Sequence, residues 1–280
     1  MAVLSAVQAK LWLFYLKGVR GRLSFNVVQE ACSYLSDPHF FAAIYRSSMQ
    51  LYDFNTRKVT NHSLPVYVDS GYVEVDRSTV LVVGKEVLTL DVLTFQITTL
   101  APLLTSRNYV GVAKMGATVF AFGGCGDRGP MKVCEKASFP PQSWTPLPPM
   151  HYSRSCFTPC AFKAFLYLAS TFSEHHRAVE SFSPLSATFT LLPVSLPALL
   201  QLGYYSVAFV ANGELILLSA NEQMACWGIE SEAQFIVAGL DRGCCSLRPP
   251  LIVGTEVYIA NFKGGKVEKW SLETGSFKSS

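Results

Sequence analysis

An all-β fold, a six-bladed β-propeller of four-stranded antiparallel blades behind a short N-terminal helical arm, is predicted by three observations. A short apolar strand recurs about every 43 residues, and a period of that size marks a repeat array closed into a propeller. From His39 onward the hydrophobic pattern has the period of strands instead of the helical one that precedes it. Turn residues stand before each later copy of the strand, Asn212-Gly213 being the strongest hairpin signal among them. These observations divide the chain into an arm, residues 1–38, and a propeller, residues 39–280.

In the arm, Leu4, Val7, Leu11, Phe14 and Tyr15 follow three- and four-residue steps and share one side of a helix that Gly18 and Gly21 end. A second helix is expected from Ser24, its N-cap, to Leu35, with Val27, Val28, Ala31 and Leu35 as the apolar stripe and Asp37-Pro38 as its stop. The six core strands are Ala42–Tyr45, Val80–Val83, Val119–Phe122, Phe165–Leu168, Leu215–Leu218 and Val257–Ala260. Their continuous apolar character fits strands buried on both faces. A third strand follows each, at Leu51–Phe54, Leu88–Asp91, Val133–Glu135, Val179–Phe182, Ala225–Trp227 and Val267–Trp270. Bulky Val59, Phe95, Trp144, Phe189, Phe235 and Phe277 announce the fourth. No residues remain for an inner strand ahead of Ala42, so the first blade is expected to lack one strand and to be covered by the helices of the arm.

Composition bounds the function. Half of the residues are hydrophobic and 15% are charged, which supplies a large core and argues against disorder. The net charge of +3 comes from scattered Lys and Arg, without the basic stripe of a nucleic-acid binder. The uncharged stretch between Glu180 and Glu214 is long enough for a membrane helix, but Pro184, Pro193, Pro197 and Gly203 interrupt it and the strand pattern runs through it. Eight cysteines form no CxxC pair, and Cys156 and Cys160 on one extended strand would lie roughly 13 Å apart, beyond bridging. Free thiols and a cytoplasmic location are therefore expected.

The unit from Arg107 to Met150 carries hydrophobics into Gly123-Gly124, an acid at Glu135, then Trp144 and Leu147-Pro148-Pro149-Met150 ahead of Arg154. In that order it resembles the kelch repeat, and the resemblance extends over about residues 40–280 through the shared period. It implies a propeller in which the double glycine lets the chain leave a buried strand and Trp144 packs between blades. Leu23–Ser36 in turn resembles the opening of an F-box, with Ser24 where that module has proline; this implies an adaptor that brings substrates to ubiquitin-ligase components.

Glu174, His175 and His176 form the sole histidine cluster and fall between strands, as a solvated loop would. Asp53 and Asp91 occupy matching repeat positions that suit turn formation. No nucleophile elbow, zinc-protease or phosphate-loop motif occurs, so neither catalysis nor a cofactor is expected. The starts of the inner strands should ring one mouth of the channel with Tyr72, Arg107, Asn108, Tyr152, Arg154, Tyr204, Tyr205 and Arg248. Aromatics and arginines dominate binding hot spots, and three arginines favour an acidic peptide. The expected function is thus non-catalytic protein–protein interaction through loops at one face, with the ubiquitin-ligase adaptor and an enzyme using the channel mouth as the alternatives, and with neither nucleic acid nor membrane as a partner.

Overall fold

The structure, a computed structural model, describes residues 40–53, 56, 58–68, 71–76, 78–169, 178–195, 206–211, 214–219, 223–228, 234–238, 251–253, 256–261, 266–271 and 277–279. Residues 1–38, for which a helical arm and the segment resembling an F-box are expected, lie outside these residues. Every regular element among the described residues is a strand.

Five sheets follow one another along the chain, each built by strands that pair with their sequence neighbours. The first comprises Gly71–Glu74, Thr79–Val83, Val87–Asp91 and Ile97–Thr99; the second Gly111–Met115, Thr118–Phe122, Cys134–Ser138 and Thr145–Leu147. The third holds Cys160–Phe162, Phe165–Ala169, Ala178–Ser183 and Thr188–Ser195. The fourth holds Ser206–Ala211, Glu214–Ser219, Gln223–Gly228 and Gln234–Ala238, and the fifth Leu251–Val253, Glu256–Asn261, Lys266–Ser271 and Phe277–Ser279. All these pairings are antiparallel. The fourth sheet gains a fifth strand, because Phe157–Thr158 pairs parallel with Ser206 and Val207.

The unit ahead of these sheets departs from expectation. Ala42–Tyr45 and Leu51–Asp53 belong to one continuous strand, Phe40–Asp53, which among the described residues pairs with Lys58–Val68 alone. The reason is visible in Arg46-Ser47-Ser48-Met49-Gln50, which contains no Gly, Pro, Asn or Asp to turn the chain. Phe95 also proves to be a turn residue, with φ 61°, and the fourth strand of the first sheet begins only at Ile97.

Alternation along each core strand distributes its side chains to two interfaces. Val80 and Val82 join Met49 and Leu64 of the hairpin in one hydrophobic cluster, with Tyr72, Leu88 and Leu90. Leu81 and Val83 point the other way, into a cluster with Val112, Val119, Ala121, Ala137 and Trp144 of the second sheet. Phe120 and Phe122 then face Leu166, Leu168 and Phe182 of the third. Phe122 and Phe182 meet edge-on at 5.4 Å between ring centroids, a preferred aromatic geometry. Each cluster therefore lies between units adjacent in sequence, and the leading strands of the first four sheets are neighbours in the same order.

Trp144 occupies the interface of the first two sheets, 4% exposed, and its indole Nε1–H donates to the Ala101 carbonyl at 2.9 Å. The double glycine has the mechanical role its position implies. Gly123 and Gly124 have φ of +54° and +107°, where side chains are disfavoured, and a Cβ on Gly123 would overlap the Arg154 carbonyl oxygen. That carbonyl instead accepts a hydrogen bond from the Gly124 N–H at 2.8 Å.

Candidate functional site

Two stretches cross between sheets at the same end of the fold: the one that leads to Gly111 and the one that leads to Cys160. Each is fixed by a carboxylate on the third strand of the sheet it enters. In the second sheet Glu135 accepts from the Leu104 N–H at 2.8 Å and the Thr105 N–H at 3.2 Å, and binds the Arg107 guanidinium. Arg107 also donates to the carbonyls of Thr105 at 2.7 Å and Gly123 at 2.6 Å. In the third sheet Glu180 accepts from the N–H groups of His151 at 2.8 Å and Tyr152 at 3.3 Å, and from Arg154 Nη2 at 3.0 Å.

The two arrangements are copies of one device. Glu135 pairs across the strands with Ala121 and Glu180 with Leu168, matching positions of their core strands. The corresponding position in the first sheet, opposite Val82, is the apolar Leu88, so the device is not repeated there. Both arginines and both glutamates are buried, with Arg154 and Glu180 at 0%. Burial pushes the Glu180 carboxyl up, but Arg154 and the His151 donors outweigh it and hold the group below the ordinary carboxylate range. Burial lowers the Arg154 pKa, opposed by Glu180.

Of the residues expected to bind a partner, Arg107 and Arg154 are buried against Glu135 and Glu180, and Tyr72 is 3% exposed in the cluster shared by the first sheet and Met49 and Leu64. Asn108 and Tyr152 are half-buried at the crossings. Tyr204, Tyr205 and Arg248 lie outside the described residues, as do Glu174, His175 and His176.

What the crossings do display is a short hairpin, Cys125–Gly126 against Gly129–Pro130. Asn108 bridges to Cys125 on one flank and Arg154 to Met131 on the other, so the hairpin is tied to both crossings. Asp127 and Arg128 form its exposed tip. Exposed Lys132 donates through Nζ to the His151 carbonyl at 2.7 Å. His151 keeps 47% of its side chain exposed while Nδ1 bonds Glu180 at 2.8 Å, and Leu104, at the matching place of the preceding crossing, is 62% exposed. Neither the hairpin nor His151 was anticipated. The clamps could have been found, because Arg and Glu recur at separations of 28 and 26 residues.

Other polar groups serve the fold. Asp91 accepts from the N–H groups of Leu93 at 3.0 Å and Thr94 at 2.7 Å and from the Ser78 hydroxyl at 2.6 Å, the turn role expected of it. Burial raises the Asp91 carboxyl, while Ser78 and Thr94 together bring it below its usual value. Cys134 is free and buried, its thiol pushed up to about 12 by burial, and so is a poor nucleophile. Among the described residues no helix is long and apolar enough to cross a membrane, and no three His, Cys, Asp or Glu side chains gather as metal ligands would. Compared with models of known families and with curated proteins, the chain matches none.

Proposed function

We propose that the chain is a six-bladed, kelch-like propeller that serves as a non-catalytic interaction scaffold, binding a protein partner through the rim formed by its crossings and the hairpin Cys125–Pro130. The closed ring is supported by five consecutive sheets and a preceding hairpin, and by apolar clusters that join sequence neighbours face to face. The kelch likeness is supported by the left-handed Gly123-Gly124 exit and by Trp144 between two sheets.

One observation carries the functional reading. Glu135 and Glu180 hold the backbone of successive crossings from within, so that Leu104 and His151 stand exposed on a fixed frame, with Lys132 bonded to the His151 carbonyl. Preorganised loops of this kind lose little conformational entropy on binding. Arg107 and Arg154, two of the three arginines expected to favour an acidic peptide, are paired internally with Glu135 and Glu180. Lys85 and Glu86 in the first sheet, like Asp127 and Arg128 at the tip of the hairpin Cys125–Pro130, place both signs of charge in the exposed loops.

The test is affinity capture with the full chain and with the triple variant Leu104→Ala, Arg128→Ala, His151→Ala. Partners held by the parent and lost by the variant, at matched thermal stability, are the expected result. Retention of every partner would remove the rim from consideration.

A further inference from the structure

We draw no further inference here: the strongest candidate, the exposed apolar residues Phe165 and Leu185 at the turn end of the sheet spanning Cys160–Ser195, carries nothing because nothing in the structure shows what covers them.

Discussion

Replacing Trp144 by alanine removes the largest side chain from the interface between the first two sheets. The indole lies in one hydrophobic cluster with Leu81, Val83 and Val87 of the first sheet and Val112, Val119 and Ala121 of the second, and Trp144 is only 4% exposed. Truncation of a buried aromatic to alanine costs ~3–5 kcal/mol, since the cavity forfeits both transfer energy and packing contacts. Loss of the Nε1–H donor to the Ala101 carbonyl adds about 1 kcal/mol. The expected total of about 4–6 kcal/mol rivals the whole stability of many domains. Trp144→Phe separates the two contributions, because it retains most of the ring while deleting the donor, and should cost about 1–2 kcal/mol. Urea unfolding followed by far-ultraviolet circular dichroism measures both variants, with an unchanged slope confirming that the folded state is intact. A loss under about 1 kcal/mol for Trp144→Ala would refute burial between the sheets.

Glu180→Gln should destabilise the fold by ~3–5 kcal/mol near neutral pH, because it leaves Arg154 buried without its counter-charge. The folded pKa of Glu180 lies below the unfolded one, so its stabilisation is present above about pH 4.5 and is lost as the pH falls through the folded value. The gap between parent and variant should accordingly hold above about pH 4.5 and narrow as the pH falls below it, and a constant gap in pH-dependent melts would count against the ion pair. Gly123→Ala should cost more than ~2 kcal/mol, since it combines a left-handed backbone with a collision against the Arg154 carbonyl; a neutral effect in the same unfolding assay would show that the chain leaves the strand differently.

Most core strands were legible because burial on both faces demands an uninterrupted apolar run, and Val80–Val83 and Val119–Phe122 meet that demand. The first unit was misread because two apolar runs look like two strands unless the linking residues are inspected for a turn. Arg46–Gln50 contain no Gly, Pro, Asn or Asp, and the backbone runs on as a single strand with a register shift between Arg46 and Ser48. The site was less legible. Arginine type at a strand start says nothing of where the guanidinium points, and the deciding partner, Glu135 or Glu180, lies on another strand. His151 and the hairpin tip are exposed polar positions in a loop, where no periodicity marks one residue from the next.

Closure of the sheets into a ring is tested most directly by the distance between the two ends of the array. Spin labels at positions 58, in the hairpin, and 278, in the last strand, can be measured by pulsed dipolar spectroscopy on the full chain. Sheets pack about 10 Å apart, so in a closed ring the hairpin and the fifth sheet are neighbours and the labels should fall within about 30 Å, linkers included. An open stack with five such spacings would place them about 50 Å apart, and that result would contradict the propeller.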